Sequence, residues 1–205
     1  MSALTRALQQ NSWTIYVALF AALAALLALS PAEATLGNVV KIVYAHGAAE
    51  RVSTYAFLIA GALGLVQFAL KNLSMTRWTR AVMETAIVFW LAQLVISAPA
   101  QMLAWGGITL SEPRVASVLW VLLLTALVYV VARWIGEPQW FAFAAIANTA
   151  ILLIVLRGGI NILHPVDPII DSDSLAIKIF YAGIVIVTGA LALQLARDLA
   201  ERGKA

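Results

Sequence analysis

The stretch "KIVYAHGAAERVSTYAFLIAGALGLVQFALK", residues 41–71, sets the reading of the whole chain. Residues 54–71 carry no charge before Lys71, and a helix needs roughly 20 apolar residues to cross the hydrocarbon core of a bilayer. Residues 41–53 hold Lys41, His46, Glu50 and Arg51, and so many polar groups read as a loop at the membrane edge. Five further apolar runs stand at about 12–30, 82–104, 115–135, 140–158 and 175–196. Between them lie "SPAEATLGN", "KNLSMTRWTR", "WGGITLSEPR", "GEPQ" and "HPVDPIIDSDS", rich in Pro, Gly and charge. Backbone polar groups in lipid must be paired within their own segment, so helices are expected for such runs. No strand-like alternation suggests a barrel. The expected fold is a single all-α integral membrane domain of six transmembrane helices over residues 1–205.

Composition points the same way. Hydrophobic residues make up 63% of the chain and charged residues 11%, against about 25% charged in a typical soluble domain. A soluble protein of 205 residues could not bury that much apolar surface. The absence of cysteine excludes disulfides, iron–sulfur clusters and thiolate metal sites. A net charge of +3, spread along the chain, reads as membrane topology and not as nucleic-acid binding.

Lys and Arg placement sets the orientation. With a cytoplasmic N-terminus, the inner face carries Arg6, Lys71, Arg77, Arg80, Arg133, Arg197, Arg202 and Lys204. The outer face carries Lys41, Arg51, Arg114, Arg157 and Lys178, together with most of the carboxylates. Both termini are therefore expected in the cytoplasm and the chain in the inner, cytoplasmic membrane. Arg6, the first apolar run and Ala32-Glu33-Ala34 also fit a secretory signal with an A-x-A site, but His46 falls on the outer side either way.

This topology puts both histidines, His46 after the first span and His164 after the fifth, on the outer face with the "WGGITLSEPR" loop. Two imidazoles from different loops can hold a heme iron from opposite sides, whereas zinc or copper asks for three or four protein ligands. Two loop residues at headgroup level are the alternative. Arg157 could reach the headgroups or an anionic group such as a heme propionate. Gln93, Gln101 and Asn148 are expected to hydrogen-bond across helices, and Gly61 and Gly64 to form a close-packing face. Arg80 and Glu84 read as a structural i, i+4 pair. No Gly-rich phosphate loop, H-E-x-x-H or G-x-S-x-G is present, so no enzyme is expected.

The outer segments resemble the CcmC/CcsA family of heme-handling membrane proteins of cytochrome c maturation. In that family a segment like R-I-x-Y-x-H-V-P-S-A follows span 1, and "KIVYAHGAAE" matches it at Ile42, Tyr44, His46 and Ala49. A segment like W-W-N-T-L-H-Q-P follows span 5, and "GINILHPV" keeps Asn161, Leu163 and His164. The family's tryptophan-rich middle loop corresponds to "WGGITLSEPRVAS", which keeps Trp105, Gly106, Arg114 and Ser117 and places Glu112 at the family's Asp. Ile108, Thr109 and Ser111 stand where that loop has tryptophans, and Gly159 and Ile160 replace another pair. The aromatic platform for a porphyrin is thereby thinned.

The resemblance implies heme b at the outer face, with His46 and His164 as axial ligands. It implies Tyr44, Trp105, Glu112, Arg114 and Arg157 around the cofactor, and no bond chemistry by the chain itself. Implied partners are membrane lipid, components of an ABC-type heme exporter and a periplasmic heme chaperone. A second expectation is a subunit of a larger membrane complex on the same fold, with a fixed bis-histidine heme or a purely structural role.

Overall fold

The computed structural model describes residues 12–157, 169 and 171–202. Six helices are long and apolar enough to cross a membrane: α1 (Ser12–Leu29), α2 (Val40–Leu70), α3 (Thr76–Trp105), α4 (Pro113–Ile135), α5 (Pro138–Arg157) and α6 (Leu175–Arg202). Among the described residues there is no strand, only an isolated bridge between Glu33 and Gly37 in the α1–α2 connection.

Local chemistry explains the helix ends. α3 stops at Gly106 and α4 at Gly136, both in the left-handed region at φ 75° and 76°, where a side chain would be strained. Glu112 caps α4, its carboxylate accepting from Val115 N at 2.9 Å, and Pro113 takes the first turn. Asn72 Oδ1 accepts from Ser74 N at 3.1 Å and starts the short 3-10 turn Leu73–Met75 that leads into α3.

One expectation is overturned. Residues 41–53, read as a loop, belong to α2, so His46 lies inside a 31-residue helix and not beside one. Val40, Tyr44 and Ala48 recur every fourth residue and are buried, which gives this segment an apolar stripe of its own. Its two cationic residues find partners: Lys41 Nζ donates to the Ala28 carbonyl at 2.6 Å, and Arg51 Nε to Tyr181 Oη at 2.9 Å. At about 1.5 Å per residue, 31 residues make a helix roughly 46 Å long, well beyond a hydrocarbon core of about 30 Å.

α2 is the centre of the bundle, packed on α3, α5 and α6, while α1 lies mainly along α6. Contact is close where side chains are small. A Cβ on Gly61 would sit 2.4 Å from Thr149 Oγ1, and one on Gly64 2.6 Å from the Ala142 carbonyl, so both glycines are where α5 presses on α2. Thr149 Oγ1 donates to the Phe57 carbonyl at 2.6 Å across the same seam. Phe57 and Trp90 stack edge to face with centroids 6.0 Å apart, and the Trp90 indole donates to the Val118 carbonyl at 3.0 Å. Large apolar residues such as Phe20, Leu65, Leu123, Ile154 and Ile186 point outward, as lipid-facing helices require. Ser12 Oγ donates to Asp198 Oδ2 at 2.7 Å, so α1 begins and α6 ends at the same end of the bundle.

Candidate functional site

The other end of the bundle gathers the start of α2, the end of α3, the α3–α4 connection and the end of α5. His46, half-buried on α2, is held across the interface to α3: its Nδ1 lies 3.1 Å from the Gln93 carbonyl oxygen. A carbonyl only accepts, so the contact requires a proton on Nδ1 and gives the lone pair of a neutral imidazole to Nε2. The Gln93 side chain is fully buried, yet among the described residues neither of its amide atoms has a hydrogen-bond partner. Its expected cross-helix bond is thus made by its backbone instead. Gln101 Oε1 accepts from Thr109 N at 3.3 Å, and Asn148 Nδ2 donates to the Thr125 carbonyl at 3.3 Å, the latter from α5 to α4.

Tyr44, one turn outward from Ala48, is fully buried. Its ring packs at 6.1 Å from that of Tyr181 on α6, and its hydroxyl donates to the Pro31 carbonyl at 3.4 Å. Tyr44 thereby ties α2 to the α1–α2 connection and to α6. Gly47 completes this joint: a Cβ there would lie 2.9 Å from Tyr181 Oη. The Arg51 guanidinium carbon stands 5.5 Å from the Tyr181 ring centroid, over the same tyrosine.

Trp105 ends α3 half exposed, and Arg114 begins α4 partly buried. Glu112 is 2% exposed; one carboxylate oxygen caps α4, and the other has no hydrogen-bond partner among the described residues. Arg157 closes α5 exposed at the same end. His164 lies outside the described residues. In the α1–α2 connection Glu33 accepts from Leu36 N at 2.8 Å and Thr35 N at 2.9 Å. These backbone donors, Leu36 first, hold its carboxyl below the usual carboxylate range.

Sequence reading missed Gly47, Tyr181 and their link to Arg51. The signal was present, since Gly47 and Arg51 are one turn apart on α2, but their partner is more than a hundred residues away. Among the described residues no group of three or more His, Asp or Glu is placed to hold a metal ion. A zinc-type set is therefore not assembled there. An iron that brings its own porphyrin nitrogens asks less of the protein, and an imidazole oriented through a carbonyl on its far nitrogen is a suitable axial ligand.

The fold and this polar end define a multi-pass α-helical membrane protein. No protein-family model matches the chain, and no curated protein matches it significantly.

Proposed function

We propose that the chain is a heme-handling membrane protein of the cytochrome c maturation type, which binds heme b at its outer face for delivery to a periplasmic acceptor. The observation that carries this reading is the His46 imidazole, set on an outward extension of α2 and oriented by the Gln93 carbonyl at 3.1 Å. His46 and His164 are the axial ligands in this reading. Heme supplies the iron and four equatorial nitrogens; the chain supplies the imidazoles and their orientation. Trp105 offers an exposed ring to a porphyrin edge, and Arg114 and Arg157 offer charge to its propionates. Tyr44 and Glu112 act as positioning residues, one holding the outer turn of α2 and the other the first turn of α4. Cytoplasmic termini in the inner membrane place the site toward the periplasm, where an ABC-type exporter component and a heme chaperone are the partners.

A second reading is favoured by the α3–α4 connection, which exposes Ile108, Thr109 and Ser111 where a delivery protein of this type offers tryptophans. There the chain is a subunit of a larger membrane complex and keeps a fixed bis-histidine heme. A reduced-minus-oxidised visible spectrum of the detergent-purified protein tests both. A low-spin heme b signal is expected, lost in His46→Ala and in His164→Ala. Loss of that heme to a heme-scavenging protein supports delivery, and retention supports the fixed cofactor. No signal after heme is added in native-like lipid overturns both.

A further inference from the structure

The end of the bundle opposite His46 holds a cavity of about 540 Å³ between the start of α3, the α4–α5 turn and α6, a volume in the range of small-ligand sites. Its walls include Ser74, Thr76, Arg77, Arg80, Pro138 and Phe141. Two guanidinium groups and the Thr76 hydroxyl thus line one small space, a donor set that suits a phosphate, while Ser74 Oγ donates to Asn72 Oδ1 at 2.6 Å.

The walls are built and not incidental. Gln67, 2% exposed, donates from Nε2 to Thr76 Oγ1 at 2.9 Å and to the Pro138 carbonyl at 2.9 Å, tying the α3 wall to the α5 wall. Arg80 Nε is held by Glu84 Oε1 at 2.7 Å, and Glu84 also accepts from the Tyr129 hydroxyl. The Arg80 guanidinium carbon lies 5.7 Å from the Phe141 ring centroid. Its bond to Glu84 and its contact with the Phe141 ring fix the group at the wall of the cavity. Arg77 is exposed and has no ion pair among the described residues.

Tryptophans mark the depth. Trp78, Trp134 and Trp140 are exposed at 37%, 87% and 44%, and all three stand at this end of α3, α4 and α5. Indoles concentrate at the headgroup level of a bilayer, so the cavity opens where lipid phosphates lie. Glu84 offsets Arg80, but Arg77 remains to favour a ligand with net negative charge.

We propose that this cavity binds the phosphodiester of an anionic phospholipid, with Arg77 and Arg80 as the phosphate donors and the Thr76 hydroxyl beside them. The inference does not depend on heme. The test is calorimetric titration of the full chain in neutral detergent with short-chain phosphatidylglycerol, phosphatidylcholine and inorganic phosphate. Phosphatidylglycerol should bind saturably and at least fivefold tighter than phosphatidylcholine, the contribution of about one surface arginine. Arg77→Gln should weaken it about fivefold, as should Arg80→Gln/Glu84→Gln, which removes the pair together; Lys71→Gln, at the same end but off the cavity, should not. If the double variant misfolds, Arg77→Gln alone reads the result. Equal binding of the two lipids, or equal loss with Lys71→Gln, overturns the proposal. So does inorganic phosphate binding as tightly as phosphatidylglycerol, which would make this a site for a free anion.

Discussion

At the scale of single residues, the chain uses glycine in two distinct ways. At Gly106 and Gly136 it buys a left-handed turn that stops a helix. At Gly61 and Gly64 the backbone is ordinary helix and the absent side chain is the point, because α5 occupies the space. In lipid there is little hydrophobic drive between helices, so such close approach does much of the holding. Gly64→Ala sets a methyl 2.6 Å from the Ala142 carbonyl, a backbone atom that cannot swing away. Overpacking of this kind costs about 1–3 kcal/mol. Gly189→Ala, where nothing lies within 4 Å, is the matched control and should be neutral or slightly stabilising through helix propensity. Thermal unfolding in detergent should show a lower midpoint for the first variant only; equal midpoints would mean that the seam adjusts.

At the scale of elements, α2 carries most of what sequence reading both caught and missed. The apolar run 54–71 and the small-residue face were legible, because each is a property of consecutive residues. The N-terminal extension of α2 was not, since Lys41, His46 and Arg51 look like a break until their partners on α1, α3 and α6 are known. The repeat Val40, Tyr44, Ala48 was the readable sign that the helix continues. His46 stands at the end of the bundle where α2 begins, but its anchoring on Gln93 depends on helix packing that no local pattern encodes. The joint between α2 and α6 is open to a double-mutant cycle. Gly47→Ala should destabilise, because the new methyl would meet Tyr181 Oη at 2.9 Å. Tyr181→Phe destabilises on its own by removing the acceptor for Arg51, worth about 1.5–3 kcal/mol for a bond to a charged group. In the Phe background, however, the nearest ring atoms would lie 3.7–3.8 Å from the Gly47 methyl, ordinary contact, so Gly47→Ala should cost much less there. Strict additivity in the cycle would show that the hydroxyl does not set the spacing of these helices.

At the scale of the whole molecule, the two ends of the bundle carry different chemistry. One end presents an oriented imidazole, buried Gln93 and Glu112 atoms without hydrogen-bond partners among the described residues, and connections with carboxylates. The other presents a belt of tryptophans and an arginine-lined cavity. Both proposals put these ends on opposite sides of one membrane, and the excess of Lys and Arg at the cavity end is the ground for proposing that this end faces the cytoplasm. The chain has no cysteine, so single introduced thiols report side without background. Ala34→Cys and Ser111→Cys lie in exposed connections at the His46 end, and Glu137→Cys in the exposed α4–α5 turn at the other. In intact cells a membrane-impermeant maleimide that reaches the periplasm should label positions 34 and 111, and position 137 only after the membrane is opened. The reverse pattern would turn the molecule over and put His46 in the cytoplasm, where delivery to a periplasmic acceptor has no physical route. Labelling of all three in intact cells would mean that the chain does not cross the bilayer as its six helices allow.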